Sequence, residues 1–225
     1  MNRTSHAEVK EFLTALSNAL DSIRIRWDDK DAVRERALQA SRIIIRQSSI
    51  AIKHVHRGER ERACEIIHAT KDIVAELRKA TVGHPDVWVA GFVQDALREL
   101  TEAAFVYALL FGEPLPTPDE LGVDDAPYVN GLAEAVGELR RAALECIRRG
   151  DIDGAERLLA IMDEIYFLLI PFNHTDAITQ GLRRRVDQVR TVVERTRSDV
   201  TVAVQYARVA HALEAHRINE HRHNG

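Results

Sequence analysis

The sequence predicts an all-α fold, a single-domain antiparallel bundle of about seven helices, and three observations carry that expectation. Apolar residues recur at spacings of three and four from residue 5 to about residue 215. No stretch alternates with period two for long enough to make a strand. The composition agrees: 45% hydrophobic and 29% charged, with six prolines and few aromatics over 225 residues, which suits a helical core and excludes a disordered chain or a β-sandwich.

Taken in order, the apolar period places helices over residues 5–27, 30–57, 59–81, 85–111, 127–149, 151–170 and 174–216. Arg57 with Gly58 and Arg149 with Gly150 read as basic last turns followed by glycine, and Asp151 and Thr175 read as starting caps. Pro114, Pro116, Pro118 and Pro127 forbid a continuous helix between the fourth and fifth. No repeat of 30 to 45 residues appears, which argues against a solenoid. The helical domain is expected over residues 1–213. The tail at 214–225, with His216, His221 and His223, is expected to be disordered.

Neither Cys64 nor Cys146 has a CxxC partner, and both fall inside helical patterns, so they are expected to be buried thiols of a reducing compartment. The N-terminus lacks an apolar signal core, and no apolar run approaches the roughly 18 residues of a membrane span. A cytoplasmic protein is expected.

A net charge of -4 means that any contact with nucleic acid needs a locally basic face. Arg42, Arg46, Lys53 and Arg57 share one face of the second helix, flanked by His54 and His56 and turned away from a stripe of Leu38, Ser41, Ile45, Ser48, Ile52 and Val55. Such a strip either tracks RNA phosphates without sequence preference or is a solvated helix face. Arg183, Arg184, Arg185 and Arg190 form a second cluster, but Asp187, Glu194 and Asp199 are interleaved, so surface or intersubunit pairing is expected there.

The chemistry-bearing pattern is a set of four glutamates. Glu99 and Glu102 are three residues apart on the fourth helix, and Glu134 and Glu138 are four apart on the fifth, so each pair projects from one helix face. The apolar stripes run elsewhere, through Val89, Val93, Ala96, Leu100 and Tyr107 on the fourth helix and Leu132, Val136, Leu139, Ala143 and Cys146 on the fifth. Spacing alone favours two solvated acidic faces. If the helices pack side by side, the four carboxylates converge and cannot all stay ionised without a divalent cation, for which oxygen ligands favour Mg²⁺ or Mn²⁺. Glu65 and His68 have the Glu-x-x-His spacing of di-iron bundles, but that chemistry needs a second copy, and none is present. Neither a Gly-rich phosphate loop, a Gly-x-Ser-x-Gly elbow nor a zinc-type Cys/His spacing occurs.

Residues 98–107 (RELTEAAFVY), 120–122 (ELG), 128–139 (YVNGLAEAVGEL) and 149–153 (RGDID) together resemble the central part of the translin and Trax family, in order and spacing. Residues 181–190 and 193–197 resemble its last long helix. The resemblance implies a hollow oligomer, an octamer in that family, and a Trax-like subunit carrying endoribonuclease activity. It places acidic catalytic residues at Glu99, Glu102, Glu134 and Glu138, three of which are usually apolar in translin-type subunits. The expected reaction is Mg²⁺-assisted hydrolysis of single-stranded or nicked RNA, with Glu99, Glu134 and Glu138 as ligands and Glu102 as a ligand or water-orienting base. Two departures stand out: eukaryotic Trax has aspartate where this chain has Glu134, and residues 84–88 (HPDVW) replace a basic stretch of translin-type subunits. The alternative is a non-catalytic oligomer that binds single-stranded RNA or DNA. A translin-type partner subunit is a further candidate partner.

Overall fold

A computed structural model describes the backbone of residues 6–223, with side chains through Glu214 and at His216. The described residues form α1 (His6–His56), α2 (Arg60–Ala80), α3 (Pro85–Trp88), α4 (Gly91–Phe111), α5 (Pro118–Leu121), α6 (Asp125–Arg149), α7 (Ile152–Leu169), α8 (Asp176–Thr179) and α9 (Leu182–His223). No strand occurs among them, so the all-α expectation stands. None of the described helices is long and apolar enough to cross a membrane.

Several boundaries differ from the sequence reading, each for a local reason. The first two expected helices are one continuous α1, because residues 27–31 contain neither proline nor glycine to break the turn. The expected helix over 85–111 is split: Ala90 takes an extended conformation (φ -63°, ψ 142°), and the Gln94 side chain donates to the carbonyl of Trp88 at 3.1 Å. Within the proline-rich connection, Thr117 and Glu120 form a reciprocal capping box that starts α5, with Pro118 at its first position. The expected helix over 174–216 is broken where Gln180 and Gly181 adopt φ values of 50° and 86°. Asp151 caps α7 by accepting from the Gly154 amide at 2.8 Å, and Gly58 and Gly150 take the left-handed conformation that ends a helix. Thr175 precedes α8 without a side-chain cap bond. Helix α9 continues past residue 213 to His223; Ser5, Asn224 and Gly225 lie outside the described residues, as do the side chains of His221 and His223.

The helices form two packed groups. In one, α1 and α2 make a hairpin through residues 57–59 and both pack on α4; in the other, α6 and α7 make a hairpin through residues 150–151 and both pack on α9. The α4–α6 contact joins the groups, so α4 is buried on nearly every side, from Val93 through Ala108. Val55, Ala63, Phe105, Val106 and Ala135 form a small core at that seam. On α1 the buried face is Val33, Ala37, Ser41, Ile44, Ser48, Ala51, Ile52 and Val55. It lies one residue off the expected stripe in places, and Ile45 is exposed. The expected stripes of α4 and α6 are largely buried, except that Val89 precedes α4 and is exposed.

Gly131 sets how closely α6 approaches α4. A Cβ there would lie 2.6 Å from the Thr101 Cβ and 2.8 Å from the Arg98 carbonyl oxygen, closer than packed atoms come. Since a backbone atom is one of the two neighbours, the helices themselves must separate to admit a side chain. We therefore expect Gly131→Ala to cost about 1–3 kcal/mol despite its helix propensity, read as a lower melting temperature. An unchanged melt would mean that this contact is not tight.

Candidate functional site

Gly131 lies one turn before Glu134, so the close approach it permits brings the acidic edge of α6 against that of α4. Glu99, Glu102 and Glu134 each present a carboxylate oxygen, and those three oxygens lie within 4.8 Å of one another. This is the group of three or more potential metal-ligating side chains found among the described residues. Three hard oxygen donors at that separation suit a divalent cation of the Mg²⁺ or Mn²⁺ class. Glu138, one turn further along α6, is held apart from this trio. His56 of α1 donates from Nε2 to its Oε2 at 2.5 Å, and Arg141 Nη1 approaches the same oxygen at 3.6 Å.

The electrostatics divide the four acids. Burial first, and then the negative charges of Glu99, Glu134 and Glu138, together push the Glu102 carboxyl up to about 8. Burial also raises Glu99, against the opposing pull of the Arg98 guanidinium. Glu138 is lowered, chiefly by the hydrogen bond from His56. Glu102 is thus protonated at neutral pH in the metal-free protein, while Glu138 is ionised.

Two arginines clasp Glu134 from different helices. Arg98 of α4 donates from Nε to Oε2 at 2.6 Å and reaches toward Glu99 at 3.4 Å, with Asp95 also paired to it. Arg185 of α9 donates from Nε to Oε1 at 2.8 Å, and its Nη1 donates to the Asn130 side chain and the Gln180 carbonyl, each at 3.2 Å. This corrects the sequence reading of the second arginine cluster: Arg185 is only 13% exposed and belongs to the carboxylate site. Two of the interleaved acids pair elsewhere, Asp199 with Arg140 and Glu194 with Arg197, and the third, Asp187, lines the cleft described next.

A cleft of about 770 Å³ opens over the trio. Glu99, Glu102 and Glu134 line one side. On the other, α9 presents Arg184, Gln188, Thr191 and Arg195, at spacings of four, three and four that put them on one helix face. The sequence reading missed this wall; its signal was present in that spacing, but nothing in the sequence said which face of α9 meets the glutamates. Arg42, Arg46 and Lys53 on α1, and Arg57 in the turn that follows it, are exposed and have no carboxylate partner among the described residues. Lys53 and Arg57 lie within one turn of His56, which places that end of the strip near Glu138, with Arg46 and Arg42 further back along α1. Glu65 is exposed and paired with Arg62. Cys64 and Cys146 are free and only half-buried.

No protein-family model matches the chain. An uncharacterized protein of Methanocaldococcus jannaschii is 26% identical over 205 residues, spanning 91% of each chain. Among solved structures, AfC3PO in complex with duplex RNA is 34% identical with a TM-score of 0.78, covering 85% of this chain and 98% of that one. A crystal structure of AfC3PO gives 33% identity and a TM-score of 0.77, over 85% and 99% of the two chains. Apo-NeC3PO, at 19% identity, shares the fold with a TM-score of 0.74 over 82% of this chain and 96% of its own.

Proposed function

Because this chain belongs to the translin family, the family of the C3PO proteins, we propose that it is a Trax-like, cation-dependent endoribonuclease that hydrolyses RNA within an oligomeric assembly. The observation that carries this reading is the convergence of Glu99, Glu102 and Glu134 at the edge of an arginine-walled cleft. The RNA in the AfC3PO complex is a duplex, which adds double-stranded RNA to the single-stranded and nicked substrates that the family resemblance suggests. The unpaired thiols of Cys64 and Cys146 suit a cytoplasmic setting.

Glu99, Glu102 and Glu134 are the ligand set for Mg²⁺ or Mn²⁺. When bound, such a cation neutralises charge developing on the phosphodiester and makes water more acidic. The protein's own groups supply the rest. Arg184 and Arg195 hold phosphates against the far wall, and Arg42, Arg46, Lys53 and Arg57 extend the grip along α1. Glu138, kept ionised and oriented by His56, accepts the proton of the attacking water. Arg98 and Arg185 balance Glu134 and fix its rotamer.

A second reading has an observation in its favour. Both oxygens of Glu134 are already taken by guanidiniums, as in a purely structural ion-pair cluster, and a passive nucleic-acid holder would need no more. The two separate on labelled RNA. Under the enzyme reading, the wild type cuts RNA with Mg²⁺ and not with chelator, and removing one ligand stops the cut while RNA is still retained. Retention without cutting by the wild type would leave the passive holder as the account.

Assembly is proposed on the two helix ends that stand clear of the packed groups. Along α1, Val9, Leu13, Leu16, Leu20, Ile23 and Trp27 follow one another at spacings of four and three, the seam of a coiled coil, and all but the half-buried Ile23 are exposed. On α9, Val202, Tyr206, Val209 and Leu213 repeat the pattern. Unpartnered apolar stripes of this length mark interfaces, and copies of the chain, an octamer in the family's form or together with a translin-type subunit, would cover them. The double substitution Leu16→Glu and Leu20→Glu should lower the sedimenting mass without changing helix content. A mass that stays the same would exclude α1 from the assembly.

A further inference from the structure

Beside the carboxylate cleft lies a second pocket, of about 350 Å³, to which none of the groups proposed for hydrolysis gives a use. Arg185 lines both spaces, and Arg98, bonded to Glu134 and Glu99, lines the second, so the two guanidiniums separate it from the glutamates. The pocket's other polar groups are the carboxamides of Gln94, Asn130 and Gln180, with Asp95 exposed at the rim.

Two of those carboxamides are committed to the fold. Gln94 donates to the Trp88 carbonyl and to Asp124, at 3.1 and 3.3 Å. Asn130 donates to the Ala126 and Thr179 carbonyls, both at 2.8 Å, and accepts from Arg185. Gln180 is different. Its Nε2 makes one long contact, 3.4 Å to Gln94, and its Oε1 accepts nothing among the described residues. Its backbone sits at φ 50°, the one positive φ of a non-glycine residue among the described residues, directly before Gly181. Glycine would adopt that conformation without cost, yet the sequence keeps a side chain there, exposed and lining the pocket. Backbone strain retained at a residue with spare hydrogen-bonding capacity is what a ligand-contacting position looks like.

We propose that this pocket seats the nucleobase next to the cleaved phosphate, that Gln180 reads it, and that adenine is the base it favours; the proposal rests on the ribonuclease reading above. A carboxamide offers one donor and one acceptor in a plane, matching the N7 acceptor and exocyclic amine of adenine. Asp95 at the rim is a further acceptor for that amine. Arg98 and Arg185 line the pocket, are fixed in place by Glu134, and carry planar guanidiniums of the kind on which a base stacks. Uracil brings no amine to the Gln180 Oε1 or to Asp95.

The test uses short oligouridylates with and without a single internal adenosine. In chelator, wild-type protein should bind the adenosine-bearing strand about tenfold more tightly, the discrimination that one bidentate carboxamide–adenine pair supplies, and with Mg²⁺ it should cut beside the adenosine. Gln180→Gly, which suits φ 50°, should keep the melting temperature and the affinity for plain oligouridylate while losing the adenosine preference. Gln180→Glu, an acceptor only, should shift the preference toward a single cytidine. Equal binding of both strands by the wild type, or a preference that survives in Gln180→Gly, overturns the proposal. Failure of the wild type to bind or cut any strand overturns the ribonuclease reading and this inference with it.

Discussion

Glu102→Gln should abolish cation-dependent cleavage, by at least about a hundredfold, while leaving the metal-free fold intact or firmer. The reason is that Glu102 is already neutral near pH 7 in the metal-free protein, its carboxyl lying at about 8. A glutamine of the same shape therefore replaces an uncharged acid, and neither burial nor the surrounding charges change. What disappears is the ability to ionise when a cation arrives, since a ligating carboxylate must give up its proton.

The same group makes the stability of the metal-free protein depend on pH, and the sign follows from which state holds the proton. Folded Glu102 titrates near 8 and the reference carboxyl at 4.5, so between those values the folded state binds more protons than the unfolded one. Stability then falls as pH rises from about 4.5 to about 8 and levels off above, by a total on the order of 4 kcal/mol. Glu102→Gln should remove that slope, so wild type and variant melt alike near pH 5 while the variant melts higher at pH 8. Saturating Mg²⁺ should raise the wild-type melt at pH 8 and leave the variant unmoved. Parallel pH profiles for the two proteins would mean that Glu102 is not the strained acid.

The second large effect is on folding itself. Glu134→Gln should destabilise the metal-free protein by roughly 2–4 kcal/mol, because it leaves Arg98 and Arg185, only 17% and 13% exposed, facing a neutral amide. Arg185 also ties Asn130 and the Gln180 carbonyl to the start of α9, so the loss should reach the packing of α9 on α6. Chemical denaturation measures it, and Arg185→Met combined with Glu134→Gln should recover part of the loss, since the double variant no longer strands that charge. A Glu134→Gln variant as stable as the wild type would show that the clasp contributes nothing. This makes Glu134 a poor position at which to test catalysis alone, whereas Glu102 separates chemistry from folding.

What the sequence made legible, and what it hid, follows from how far each signal reaches along the chain. Helical period and turn chemistry are local, so the helices, the glycine ends at Gly58 and Gly150 and the Asp151 cap could all be read in advance. The expected break near residue 28 failed because charged residues alone do not end a helix. The i, i+3 and i, i+4 spacing of the glutamates placed each pair on one face, and the structure brings three of the four together. Nothing local could tell that Gly131 faces Thr101, or that Arg185 answers a glutamate 51 residues earlier in the chain. Charge patterning along α9 pointed instead to surface or intersubunit pairing, whereas Asp199 pairs with Arg140 of α6 and Glu194 with Arg197 of α9 itself. Glu138 shows the same limit: its partner His56 lies 82 residues away on α1.

The account depends on Glu99, Glu102 and Glu134 holding one divalent cation per chain. Titrating the metal-free protein with Mn²⁺ at neutral pH, and following free Mn²⁺ by its electron paramagnetic resonance signal, tests this without RNA. The wild type should bind one equivalent that Mg²⁺ displaces, and Glu102→Gln should bind none in the same range. Equal binding by the two proteins, or none by either, would contradict it.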